Sequence, residues 1–273
     1  MRSRSFVSPS RVLVGTLAIL AAACSGANTG SVSLSLSSRR PPGAFPAAAI
    51  AGSATSPAVV TAGDSTVITL GNDTIIVRSV EVVLRKIELK RLDATACDTV
   101  SDNGDCEEFE AGPALATFPL GATNAAAVVS VNAPAGQYDK LEFEIHKTDT
   151  TSAKDAALLA AHPEFKNISI RVTGTYSQAG TRSDFTFASS LDASEEIEFN
   201  PPLTVSDGGG TNLTVRLDVA TWFLNAGHTA LVDPASANKG GGNESIVSDN
   251  IKNSIEAFRD DNHDGHDDDH EGS

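Results

Sequence analysis

A run of acidic and histidine side chains lies close to the C-terminal end of the sequence. Asp260 to Glu271 fits the calcium-loop pattern D-x-[DN]-x-[DN]-G-x₅-E in full, with Gly265 at the position of the sharp turn. Ca²⁺ takes about six to eight hard oxygen ligands, and this pattern spaces them along one loop. The predicted ligands are the side chains of Asp260, Asn262, Asp264, Asp268 and Glu271 and the backbone carbonyl of His266.

The segment before this loop predicts a helix that would enter it. Ser245 to Arg259 places Ile251, Ile255 and Phe258 at helical spacing. A helix there is placed like the entering helix of an EF-hand. Only two residues follow Glu271, so we expect a loop without an exiting helix, similar to the shorter Asp-rich calcium loops of extracellular repeats.

The same residues allow two other interpretations. Blocks of like charge repel one another and usually remain solvated, so the run is also compatible with a plain acidic tail. His263, His266 and His270 lie in it as well, and imidazole together with carboxylate can hold Zn²⁺, Cu²⁺ or Ni²⁺. A periplasmic metal-buffering protein is therefore an alternative function.

A second alternative is an envelope hydrolase. Gly63-Asp64-Ser65 and Asp260-x-x-His263 are similar to the GDS and DxxH blocks of the SGNH esterases, which implies Ser65 as nucleophile, His263 as base and Asp260 orienting the base. That fold needs a helix after the serine. Thr66 to Leu70 instead has a strand pattern, and Asn72 comes too early for the asparagine block. We therefore expect a protein that is not an enzyme.

The first 24 residues have the organisation of an export signal. Three arginines precede Val12–Leu20, an uncharged apolar run with the length of a signal-peptide core, and small residues follow at Ala21–Ala23. Small residues directly before Cys24 resemble the lipobox of bacterial lipoproteins. This resemblance implies removal of residues 1–23, acylation of Cys24 and attachment to a membrane. In that family an aspartate directly after the cysteine favours retention at the inner membrane, so Ser25 indicates the outer membrane.

The cysteine count agrees with an exported protein. The sequence has three cysteines, and if Cys24 carries lipid, Cys97 and Cys106 remain. They enclose a polar turn that contains Asn103-Gly104, so we expect a disulfide across a hairpin loop in an oxidising compartment. Two free buried thiols are the alternative.

Composition and charge exclude some partners. The formal net charge is -15, and removal of the arginine-containing signal makes it more negative. Such a surface repels nucleic acid, so we expect no nucleic-acid partner. Frequent Thr, Ser, Val, Gly and Asn, with one Trp and two Tyr, are typical of a β-rich extracellular domain.

Strand signals follow one another along most of the chain. The run from Lys140 to Lys147 alternates cleanly, with Leu141, Phe143 and Ile145 on one face. In the long run from 74 to 92 the apolar positions change phase near Arg85, which predicts a β-bulge. Further strands are expected at 31–36, 66–70, 126–131, 168–172, 185–187, 197–199 and 213–219, and a short helix at 152–161.

These patterns predict a mainly β fold: an antiparallel β-sandwich, Ig-like or transthyretin-like, with one or two short helices and an acidic C-terminal tail. The expected organisation is a signal peptide at 1–23, the lipidated cysteine and tether at 24–30, the sandwich at 31–235 and a linker, helix and tail at 236–273. The alternative is a subdivision of the sandwich near 148–164. Trp222 is expected in the core.

A second resemblance concerns the first half of this sandwich. Pro134-Ala135-Gly136-Gln137-Tyr138 with the following Leu141 and Phe143 gives "PAGxYxxLxF", and it is preceded by "SVSLSL" at 31–36 and "VEVVLRKIEL" at 80–89. This looks like an uncharacterised domain of bacterial envelope lipoproteins, over residues 31–147. The resemblance implies fold and location and carries no catalytic residues. The expected protein is thus an envelope lipoprotein with a binding or structural role, whose protein or glycan partner the sequence does not specify.

Overall fold

The computed structural model describes residues 29–38, 57–61, 64–92, 108–120, 126–262 and 268. The strands in these ranges are β1 (Thr29–Ser37), β2 (Ala58–Thr61), β3 (Thr66–Leu70), β4 (Asp73–Arg91), β5 (Glu108–Ala111), β6 (Ala114–Thr117), β7 (Ala126–Pro134), β8 (Gly136–Ile145), β9 (Ile170–Gln178), β10 (Thr181–Ser189), β11 (Ala193–Val205), β12 (Gly210–Leu217) and β13 (Ile255–Arg259). The helices in these ranges are α1 (Ala156–Ala161) and α2 (Glu244–Lys252).

The described strands form two sheets. The smaller sheet has the order β13-β12-β1-β7. The larger sheet follows the path β10-β9-β4-β3-β2, with β5, β6 and β8 also pairing with β4, and with β11 pairing with β8. The prediction of a mainly β fold with few helices is confirmed.

One strand pair departs from the expected antiparallel arrangement. β1 and β12 are parallel, from Ser31 opposite Gly210 to Ser37 opposite Arg216. On its other side β1 pairs with β7 in antiparallel fashion. Parallel partners need a long connection, and here all nine strands of the larger sheet lie between the two strands in the chain.

The alternating patterns form strands with one buried face, as predicted. In β8, Leu141, Phe143 and Ile145 are each at most 1% exposed. In β4 the pairing with β8 shifts between Leu84 and Lys86, so the predicted bulge at Arg85 is confirmed. The bulge lets β4 keep apolar side chains in the core on both sides of the phase change.

A single cluster of buried apolar side chains connects both sheets and α2. It includes Leu34 from the smaller sheet, Phe143 from the larger sheet and Ile251 from α2. Trp222 is completely buried, and its Nε1 donates a hydrogen bond of 2.8 Å to Ser254 Oγ. The prediction of a core position for Trp222 is confirmed, and its one polar atom has a partner.

The helix expected from Ser245 to Arg259 is only half correct. α2 ends at Lys252, and the chain turns at Asn253 and Ser254 before β13 begins. β13 pairs in antiparallel fashion with β12, from Leu213 opposite Arg259 to Leu217 opposite Ile255. Ile255 and Phe258 of β13 happen to continue the helical spacing of α2. Five residues are too few to distinguish a helical period from a strand period.

The pairing of β13 extends the folded region beyond residue 235. Val247 and Ile251 of α2 belong to the core cluster, and Asp260 still bonds to the smaller sheet. The connection at 148–164 is attached to the larger sheet, because Asp155 pairs with Arg85 of β4.

Candidate metal-binding site at the end of the smaller sheet

Asp260, the first predicted calcium ligand, directly follows β13. Its N–H donates to the Asn212 carbonyl at 3.0 Å, which continues the pairing of β13 with β12. The Asp260 side chain has no solvent exposure, and its Oδ2 accepts a hydrogen bond of 2.7 Å from Thr214 Oγ1. The strand pairing therefore fixes both the position and the direction of this carboxylate.

A buried polar network surrounds Asp260. Ser35 Oγ donates to Asn212 Oδ1 at 2.8 Å, and Asn212 Nδ2 donates to the Asp260 carbonyl at 2.7 Å. Ser35 and Thr214 have no exposure and Asn212 has 3%. Because a buried polar group is costly without a partner, these matched donors and acceptors favour one arrangement of the end of β13.

Sequence reasoning did not find this network. Ser31, Ser33, Ser35 and Ser37 alternate with apolar residues in β1, which is the usual pattern of a solvent-facing side. The available signal was the matching polar alternation of Asn212 and Thr214 in β12. It became informative only once the parallel register placed the two strands side by side.

The chain returns to the end of β13 at Asp268. The Asp268 N–H donates to the Arg259 carbonyl at 3.0 Å. Its Oδ2 accepts from the Asp261 N–H at 2.6 Å, and its Oδ1 accepts from Asn262 Nδ2 at 3.1 Å. Asp261 Oδ1 also accepts from the Asn212 N–H at 3.2 Å. Three of the six predicted ligands, Asp260, Asn262 and Asp268, thus belong to one hydrogen-bonded unit with the smaller sheet.

The other three predicted ligands, Asp264, His266 and Glu271, lie outside the described residues, as do His263 and His270. Within the described ranges, no group of three or more His, Cys, Asp or Glu side chains is arranged to hold a metal ion. The six-ligand calcium site therefore stays a prediction.

A shallow polar cleft of about 220 Å³ lies beside this unit. It is lined by Ser31, Ser33, Gly210, Thr211, Asn212 and Asp261. Hydroxyl groups and one carboxylate can bind a cation or a hydroxylated ligand. The cleft contains no aromatic side chain that could stack on a sugar ring.

The larger sheet has two clusters of paired charges, and the first joins β4, β8 and β11. Lys90 Nζ lies 2.9 Å from Glu142, and Lys140 Nζ lies 2.9 Å from Glu196. The hydrogen bond from Lys90 lowers the pKa of Glu142, and that from Lys140 lowers the pKa of Glu196. Lys90 also lies 3.8 Å from Glu196, and Lys140 lies 3.5 Å from Glu198, so the two lysines are shared among three carboxylates. These pairs join neighbouring strands of the sheet.

The second cluster attaches the connection after β8 to the bulge in β4. Arg85 Nη1 lies 2.9 Å from Asp155 Oδ2, and the same oxygen accepts from the Asp149 N–H at 2.7 Å. Asp155 is completely buried. The bulge thus directs Arg85 at the residue that precedes α1 and fixes this connection on the sheet.

Ser65, the nucleophile of the hydrolase alternative, directly precedes β3 of the larger sheet, and no helix follows it. Asp260 follows β13 of the smaller sheet, where its carboxylate bonds to Thr214. His263 lies outside the described residues, so the hydrolase alternative is not tested by the described part of the chain.

The predicted modification sites also lie outside the described residues. These are Cys24 with Ser25, and the cysteines Cys97 and Cys106. None of the helices in the part of the chain that the structure describes is long and apolar enough to cross a membrane. Comparison with protein-family models, with curated proteins and with solved structures found no match.

Proposed function

We propose that this protein is a lipid-anchored bacterial envelope protein, on the outer membrane, whose folded domain is a non-enzymatic binding or structural module. We further propose that it binds Ca²⁺ through the loop from Asp260 to Glu271. The basic segment, the apolar run at Val12–Leu20 and the small residues before Cys24 support the anchor.

The attachment of Asp260 and Asp268 to the smaller sheet carries the calcium proposal. The run from 260 to 271 contains seven acidic side chains, and an acidic run of this kind usually remains solvated. Here Asp260 is completely buried and Asp268 bonds back to Asp261 and Asn262. Asp260 and Asp268 are the first and ninth positions of the calcium pattern. Because both are already held in place, less conformational entropy is lost when the remaining oxygens bind an ion.

Calorimetric titration of the full-length protein, purified in detergent, with Ca²⁺ tests this proposal. We expect saturable binding in the micromolar to millimolar range that is lost in Asp264→Asn and in Asp268→Asn, because each removes a charged ligand oxygen. The matched control is Asp207→Asn, which removes the same charge from an exposed position near the start of β12 and should leave binding unchanged.

Two results would contradict the calcium proposal. Absence of saturable binding would leave the segment as a charged tail. An equal loss in Asp207→Asn would mean that the ion responds only to the overall negative charge of the protein. Mg²⁺ serves as a competitor, because its smaller octahedral shell fits this ligand pattern less well.

A further inference from the structure

The chain between the predicted lipidation site and the folded domain is very short. From Cys24 to Thr29, the first residue of β1, there are five residue steps. A fully extended chain spans at most about 3.6 Å per residue, so these steps reach about 18 Å. If Cys24 carries the anchor proposed above, Thr29 cannot lie farther than this from the anchored cysteine.

Several segments meet at the position where β1 begins. Thr29 pairs with Pro134, at the turn from β7 to β8. Arg91 Nη2 donates to the Ala135 carbonyl at 3.2 Å, and the Leu92 N–H donates to the Gln137 carbonyl at 3.0 Å. We call these residues the β1 end: Thr29, Arg91, Leu92 and Pro134 to Gln137.

Leu92 gives the β1 end an apolar contact point. Among the described residues it is the one large hydrophobic side chain that is exposed, at 48%. Its N–H bonds to Gln137, and its neighbour Arg91 bonds to Ala135, so it lies beside the turn from β7 to β8. A single exposed leucine needs no explanation elsewhere on a surface, but here it lies at the one end that the predicted tether holds close to lipid.

The opposite end of the sandwich is far from the tether. β8 starts at Gly136 in the β1 end and has ten residues, so its other end at Ile145 lies about 30 Å away. α1 belongs to the connection that follows Ile145, and the pair of Arg85 with Asp155 fixes its start. Ala157 is exposed on α1 and marks this distant end.

We propose that the β1 end rests on the lipid bilayer, with Leu92 in the interfacial region, so that α1 points away from the membrane. This inference rests on the proposed anchor at Cys24. The partner is a lipid surface of low charge, because Asp207 and Asp261 are exposed at the same end and would be repelled by anionic headgroups.

Tryptophan quenching by lipid tests the orientation. The full-length protein, isolated from membranes, is reconstituted into phosphatidylcholine vesicles whose acyl chains carry bromine. Trp222 is completely buried, so the unsubstituted protein supplies the baseline. We measure the tryptophan fluorescence of each variant above that of the unsubstituted protein. We expect brominated lipid to quench most of this added fluorescence in Leu92→Trp and to leave it unchanged in Ala157→Trp.

A longer tether provides a second measurement. Insertion of about 15 Gly and Ser residues after Gly26 lowers the local concentration of the β1 end at the surface, so quenching of Leu92→Trp should fall. Unchanged quenching would overturn the role of the short tether. Unquenched Leu92→Trp, or equal quenching of Ala157→Trp, would overturn the orientation.

Flotation of the vesicles separates this inference from the proposed anchor. Flotation of the unsubstituted protein but not of Cys24→Ser would support the anchor. If Leu92→Trp is then still unquenched, the orientation alone is wrong. If neither the unsubstituted protein nor Cys24→Ser floats, the anchor is wrong, and the proposed orientation is then wrong as well.

Discussion

At the scale of single residues, Tyr138 gives a physical reason for the "PAGxY" pattern. Its side chain is completely buried, and its hydroxyl donates a hydrogen bond of 2.8 Å to the Pro134 carbonyl, four residues earlier. The Arg91 guanidinium lies over its ring, 5.8 Å from the centroid. The tyrosine therefore fixes the turn between β7 and β8 from inside, as a tyrosine corner does in other sandwiches.

Burial of Tyr138 predicts loss of stability at alkaline pH. Burial raises the pKa of Tyr138 to about 12, against the opposing effect of the positive charge on Arg91. The folded pKa is higher than the unfolded value of 10.0, so this stabilising contribution is complete below pH 10 and is lost as the pH rises towards 12.

The shift corresponds to about 2–3 kcal/mol in the free energy of unfolding. Urea unfolding between pH 9 and pH 12 should show this loss, and Tyr138→Phe should reduce it. An unchanged pH dependence in Tyr138→Phe would assign the loss to other groups.

At the scale of elements, one asparagine holds α2 on the fold. Asn250 Nδ2 donates to the Trp222 carbonyl at 3.0 Å and to the Leu224 carbonyl at 2.9 Å. Asn250 is buried, so these carbonyls have little access to water. Because α2 leads directly into β13, this contact also determines where the strand that bears Asp260 begins.

Replacement of Asn250 should destabilise the protein strongly. Asn250→Ala leaves two buried carbonyls without their donor and should lower the free energy of unfolding by about 2–3 kcal/mol, measured by urea denaturation. Asn253→Ala, at an exposed position one residue beyond α2, should change it by less than about 0.5 kcal/mol. Similar losses in both variants would show that the two buried carbonyls are not the source of the effect.

The elements differ in how far sequence alone could predict them. β8 was predictable because Leu141, Phe143 and Ile145 alternate without interruption, and the β4 bulge because the alternation changes phase at Arg85. β13 was not predictable, because five residues fit both the helical and the strand period. Its pairing with β12 determines that the segment is a strand. The network around Asp260 joins Ser35 to Asn212, which are 177 residues apart, so only the pairing of β1 with β12 reveals it.

At the scale of the whole molecule, one core connects both sheets. The cluster of buried side chains runs from Val32 in β1 to Ile251 in α2. The connection at 148–164 is attached to the larger sheet, because Asp155 pairs with Arg85 of β4, and Phe165 directly after it is buried. A shared core favours one cooperative unit over two subdomains.

This core predicts a single unfolding transition. Urea unfolding followed by the fluorescence of Trp222, which lies in the core, should coincide with that followed by far-ultraviolet circular dichroism. Two transitions with different midpoints would show that the sheets unfold separately and would place a boundary near 148–164.

The parallel pairing of β1 with β12 also determines when the protein can fold. β1 precedes the other described strands in the chain, yet its two neighbours are β7 and β12, and the second ends only at Leu217. Closing so long a loop is slow, so we expect the pairing of β1 with β12 to form late. For a chain exported from its N-terminus, as the proposed anchor implies, the smaller sheet stays incomplete until the residues up to Leu217 have crossed the membrane.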